Sequence, residues 1–113
     1  MNSRYVPDAG DIVWLNFDPQ AGHEQAGHRP ALVVSPSSYN NKIGLMLCCP
    51  MTTQVKAYPF EVAIAGSRDG VVLADQIKSL DWRFRKAIRK GKATPGELAE
   101  VRVKICLLVV GAG

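Results

Sequence analysis

Residues 10–36, "GDIVWLNFDPQAGHEQAGHRPALVVSP", decide how this chain folds. "DIVWLNF" (11–17) is rich in strand formers and follows Gly10, so a strand is predicted there. Val13, Leu15 and Phe17 fall on one face, Ile12 and Trp14 on the other. Apolar residues on both faces point to a central place in a sheet. "PALVVS" (30–35) reads as the next strand, with Pro30 at its first residue, where a missing N–H is tolerated. Between them, "DPQAGHEQAGHR" (18–29) is a loop punctuated by Pro19, Gly22 and Gly27. A connection of that length is usually functional or mobile.

Outward from this unit the elements are short. "PSSYNNKIG" (36–44) is predicted as a helical turn, "LMLCCPMT" (45–52) as a third strand and "FEVAI" (60–64) as a fourth. "GVVLADQIKSL" (70–80) reads as one longer strand, joined to the fourth through the turn residues "SRDG". Thr94, Pro95 and Glu97 supply an N-cap, a first-turn proline and a capping-box partner. Leu98, Val101, Ile105 and Leu108 then recur at helical spacing, and the helix should end before Gly111. Its last turns, "ICLLVV", are apolar almost all round, which calls for either deep burial or a subunit interface. The expected fold is mainly β: five or six short antiparallel strands in a twisted sheet or partly open barrel, closed by one carboxy-terminal helix.

The 113 residues fit one domain spanning 1–113, and 47% hydrophobic residues are enough to form a core. Lys and Arg outnumber Asp and Glu by 14 to 10, so the net charge is +4 and an anionic partner is plausible. The opening "MNSRYVPDAGD" is polar, and the apolar runs are too short to span a bilayer. A cytoplasmic protein with no membrane association is therefore expected. Cys48, Cys49 and Cys106 lack metal-ligand spacing and read as small buried hydrophobes in a reducing compartment. No metal or cofactor is expected.

Three places carry candidate chemistry. In the 18–29 loop, Glu24 with His23 or His28 could move protons, and the planar fork of Arg29 suits a phosphate. At the end of the third strand, Thr52, Thr53 and Gln54 offer hydroxyls and an amide. The stretch "QIKSLDWRFRKAIRKGK" (76–92) interleaves Trp82 and Phe84 with Lys78, Arg83, Arg85, Lys86, Arg89, Lys90 and Lys92. That pattern fits either single-stranded nucleic acid or a solvated face whose aromatics pack inward.

"GDIVWLNFDPQAGHEQAGHRPALVVSP", "YNNKIGLMLCCPMTTQVKAYPFEV" and "GVVLADQIKSLDWR" together resemble the successive blocks of the MazF/PemK family of endoribonuclease toxins. The resemblance implies a homodimer of SH3-like, partly open barrels that cuts single-stranded mRNA without a metal. The products would carry 2′,3′-cyclic phosphate and 5′-hydroxyl ends. It also implies a MazE-like cognate antitoxin with an acidic, flexible tail. By position, the family's catalytic arginine falls on Arg29, its threonine on Thr52 and its loop acid on Glu24. Where the family commonly has serine, this chain has His23. RNA contacts are expected from Gln25, His28, Lys56, Gln76 and Lys78. Two other classes stand beside this reading: a gyrase-type protein poison of the same fold and a non-catalytic nucleic-acid-binding module. The poison is disfavoured because that family relies on an aromatic near its carboxy terminus, and none follows Phe84 here.

Overall fold

Strand β1 (Asp11–Asn16) is central, as its two apolar faces require: it pairs with β2 (His28–Val33) on one edge and β7 (Ile88–Lys92) on the other. The computed structural model describes residues 5–17, 28–65 and 70–111. The remaining elements are α1 (Ser37–Ile43), β3 (Leu45–Thr52), β4 (Glu61–Ala63), β5 (Val71–Leu73), β6 (Lys78–Asp81) and α2 (Pro95–Val110). All pairings are antiparallel, in the order β4-β5-β3-β2-β1-β7, and β6 also pairs with β3. Among the described residues β4 and β7 do not pair, so the sheet is open rather than closed.

Alternation along β1–β3 feeds two cores. Ile12, Leu32, Cys49 and Met51 pack with Val62, Val72 and Val101 of α2. Val13, Leu15, Ala31, Val33, Met46 and Cys48 pack with Leu80 and Trp82 on the opposite face. Phe17 joins the second core, while Trp14, predicted on the same face as Ile12, is 39% exposed.

Several predicted boundaries shift for tertiary reasons. The long strand predicted over 70–80 is broken by a 3-10 turn at Ala74–Gln76. β5 pairs with the carboxy-terminal part of β3 and β6 with its amino-terminal part, so one chain uses the same edge twice and must step between. Pro50, which has no N–H, sits where β3 changes partner, between Cys48↔Lys78 and Met51↔Val72. β7, "IRKGK", brings the strands to seven and was not expected, because nothing in a basic run marks a strand until an edge of β1 needs a partner. β2 starts at His28, so Pro30 is its third residue rather than its first.

Helix α2 forms as its capping signals require. Thr94 Oγ1 accepts from Glu97 N at 3.2 Å, and Glu97 Oε1 accepts from Thr94 N at 2.8 Å. The other Glu97 oxygen accepts from Ala65 N at 2.7 Å, tying the helix start to the end of β4. The burial expected of the last turns does not occur within the chain: Val109 and Val110 are 76% and 81% exposed. Cys106 lies on this helix and is exposed, whereas Cys48 and Cys49 are buried as predicted. No helix among the described residues is long and apolar enough to cross a membrane.

Candidate active site

The site is set by the register of β2 on β3. Val33 faces Cys48, Leu32 faces Cys49 and Ala31 faces Pro50. Continuing that register two residues puts Arg29 opposite Thr52, with both side chains on one face. The hydrogen-bonded ladder stops short of them for a reason in the sequence. Val33 O accepts from Gly10 N on the β1 side, and Val34 N donates to Leu47 O on the β3 side. Backbone direction alternates along a strand, so the Pro30 nitrogen faces β3, where it has no hydrogen to donate.

Beyond this point a trough of about 270 Å³ opens, lined by Arg29, Thr52, Gln54, Lys56 and Gln76. Tyr58, Glu61 and Leu73 complete its wall. The Arg29 guanidinium lies 5.9 Å from the Phe17 ring centroid, and this contact helps to aim it. Thr52 Oγ1 accepts from Gln54 N at 3.1 Å, which leaves its hydroxyl proton to donate elsewhere. Tyr58 donates its hydroxyl to Asp75 at 2.7 Å, and that bond raises its pKa, so the phenol stays neutral. Gly70 lies beneath Thr52 with φ 90°, and a Cβ there would fall 2.1 Å from the Thr52 carbonyl oxygen.

Of the residues named from sequence, Arg29, Thr52, Gln54, Lys56 and Gln76 are brought together. His23, Glu24 and Gln25 lie outside the described residues. His28 is not in the trough: as Arg29's strand neighbour it points to the other face, where it stacks on Trp14 with centroids 5.9 Å apart. Lys78, on β6 opposite Cys48, is also absent from the lining. Sequence reasoning missed Tyr58, Glu61, Leu73 and Gly70. No local signal marks them: the left-handed step at Ala57 breaks strand alternation before Tyr58, and Glu61, Gly70 and Leu73 come from other segments.

The basic stretch at 76–92 is largely committed to the protein itself. Arg85 donates to the carbonyls of Asn16 and Phe17, where the chain enters the 18–27 segment. Arg89 and Lys92 reach Asp11 at 3.6 and 3.3 Å. Arg83 covers Trp82, and Lys90 covers Trp14. Trp82 is buried and donates to Asn40 O at 3.0 Å, so it is not a platform for bases; Phe84 is exposed. Among the described residues no three His, Cys, Asp or Glu side chains are grouped to hold a metal.

Comparison with known proteins gives the family. Residues 8–109 match the model of the PemK-like, MazF-like toxin of type II toxin–antitoxin systems. The endoribonuclease toxin MazF of Escherichia coli strain K12 is 59% identical over 110 residues, covering 96% of this chain and 99% of that protein. The endoribonuclease toxin ChpB of the same strain is 36% identical over 109 residues, covering 90% and 93%. Among solved structures, the MazE–MazF complex (Form II) of Deinococcus radiodurans superposes with a TM-score of 0.88 at 55% identity, covering 96% of this chain and 100% of that one. An antiparallel open sheet with a carboxy-terminal helix, and a match along almost the whole chain, place it in the PemK-like, MazF-like toxin family of type II toxin–antitoxin systems.

Proposed function

We propose that this chain is an endoribonuclease toxin whose β2–β3 trough cleaves single-stranded mRNA by internal phosphoryl transfer. The observation that carries the reading is the Arg29–Thr52 juxtaposition at the unzipped end of β2 and β3. In such a reaction the 2′-oxygen loses its proton and attacks the adjacent phosphorus. The bond to the 5′-oxygen breaks, and that oxygen takes up a proton. A 2′,3′-cyclic phosphate and a 5′-hydroxyl result. Negative charge peaks on the nonbridging oxygens in the transition state. Arg29 has a permanent charge and a fork that fits two oxygens, and the Thr52 hydroxyl donates to one of them. Glu24 is the proposed proton acceptor, with Lys56 and Gln76 holding the flanking nucleotides. Arg29 and Thr52 supply the charge stabilisation directly, so the proposed reaction uses no metal.

The same trough, basic and open along one side, suits the acidic tail of a cognate antitoxin, which would then compete with RNA. The exposed apolar end of α2, with Leu107, Leu108 and Val110, is the proposed surface for homodimer formation. We place the protein in the cytoplasm, with its substrate. The test is incubation of the full chain with a long mixed-sequence transcript in EDTA, followed by mapping of the cleaved ends. Cyclic-phosphate and 5′-hydroxyl ends at recurrent short sequences are expected. Intact RNA, or a requirement for added divalent ions, would contradict the proposal.

A further inference from the structure

Among the described residues, the lining of the trough contains one carboxylate, Glu61, where an acid should repel RNA phosphates. Its hydrogen bonds account for its presence. Oε1 accepts from Ala57 N at 2.8 Å and from Lys56 N at 3.2 Å, and Oε2 accepts from Lys56 N at 3.0 Å. Ala57 is left-handed, with φ 58°, a conformation an alanine keeps only when its surroundings hold it there. The residues that follow are pinned separately: Tyr58 by Asp75, and Pro59 through its carbonyl by Lys104 Nζ at 2.6 Å. Glu61 is therefore the anchor for the one step in this segment that decides where Lys56 leaves the backbone.

We infer that Glu61 is a positioning residue for RNA binding: its carboxylate clamps the 56–57 backbone in a left-handed step that presents Lys56 to the phosphates in the trough. The inference rests on the endoribonuclease reading and deepens it. It makes a prediction opposite in sign to simple charge counting. Removing an acid from a phosphate site should tighten binding, whereas releasing the Lys56 segment should weaken it.

The experiment measures affinity for a 2′-O-methyl oligoribonucleotide, which lacks the nucleophile, carrying a cleavage site mapped for the wild-type protein. Glu61→Ala and Glu61→Gln are expected to bind about fivefold more weakly despite the gained positive charge. Their log–log salt dependence should be shallower by roughly 0.7, the loss of one phosphate contact on a single strand. Lys56→Ala should do the same, and Lys56→Ala/Glu61→Ala should be no weaker than Lys56→Ala alone. Glu61→Gln keeps the size of the side chain and one carbonyl acceptor, so it serves if Glu61→Ala is poorly folded. Equal or tighter binding by the folded Glu61 variant, or losses that multiply in the double variant, would overturn the inference. If the wild-type protein does not cleave RNA, or cleaves it equally after Arg29→Ala, the underlying endoribonuclease reading fails instead.

Discussion

Arg29 and Thr52 face one another across β2 and β3, two residues past the last ladder pair, Ala31↔Pro50. Neither strand alone makes a site; their register does. If this pair stabilises the phosphorane, Arg29→Ala should lower kcat by about a hundred- to a thousandfold, or roughly 3–4 kcal/mol, with a smaller change in KM. Arg29→Lys should recover little, because an ammonium cannot bridge two oxygens. Thr52→Val, which keeps the shape and deletes the hydroxyl, should cost about tenfold or more, and Thr52→Ser should restore most of that. Single-turnover cleavage of a defined oligonucleotide measures both.

Pro30 keeps the strands from zipping further. Pro30→Ala gives β2 a donor facing β3, so the ladder can extend toward Arg29 and Thr52 and narrow the trough. Stability should change by less than about 1 kcal/mol, since the added hydrogen bond offsets the lost rigidity of proline. Cleavage should nevertheless fall several-fold. Thermal melts and amide exchange at residues 30 and 51, set beside rates, check this; unaltered cleavage with a slowed exchange at residue 30 would refute it.

Gly70 meets two constraints at once, a φ of 90° and a Cβ position 2.1 Å from Thr52 O and 2.8 Å from Thr53 Cα. Both nearby atoms are backbone and cannot swing aside. Gly70→Ala should cost about 3 kcal/mol and displace Thr52. Denaturant melts should register the first effect and cleavage assays the second. A fully active, equally stable variant would show that the contact relaxes freely.

Burial pushes the thiols of Cys48 and Cys49 up to about 12, so neither is a thiolate at neutral pH, while Cys106 is exposed on α2. Iodoacetamide at pH 8 should add one group to the native monomeric chain, at Cys106, and three after denaturation. Protection of Cys106 at high protein concentration would place α2 in the dimer interface.

Glu97 is held below its usual pKa of 4.5 mainly by the Thr94 backbone N–H, then by that of Ala65; Asp8 is held below 3.8 mainly by Ser37 N. For a lowered folded-state pKa, the stabilisation is present above the unfolded value and is lost as pH falls through the folded one. Stability should therefore hold through neutral pH and decline below about pH 4.5. Glu97→Gln should flatten the upper part of that decline, and Thr94→Ala should cost about 1 kcal/mol at pH 7. Chemical denaturation at pH 3, 5 and 7 tests the sign.

The local elements were legible because their causes are local. Val13 and Leu15 alternating with Ile12 marked a strand buried on both faces, β3 was legible from end to end, and Thr94, Pro95 and Glu97 wrote the start of α2 into adjacent letters. The family pattern also named Arg29 and Thr52 before any geometry was known. What the sequence left undecided depends on contacts between distant segments. "IRKGK" is a strand only because β1 has a free edge, and 70–80 breaks in two only because β5 and β6 share β3. Arg85 reads equally as a nucleic-acid cation or a solvated one until Asn16 and Phe17 are seen to hold it, and nothing in the letters ties Glu61 to the 56–57 backbone it receives. Periodicity and capping need only neighbours along the chain. Register, partner choice and the use of a charge are settled by whichever strand or carbonyl folding brings alongside.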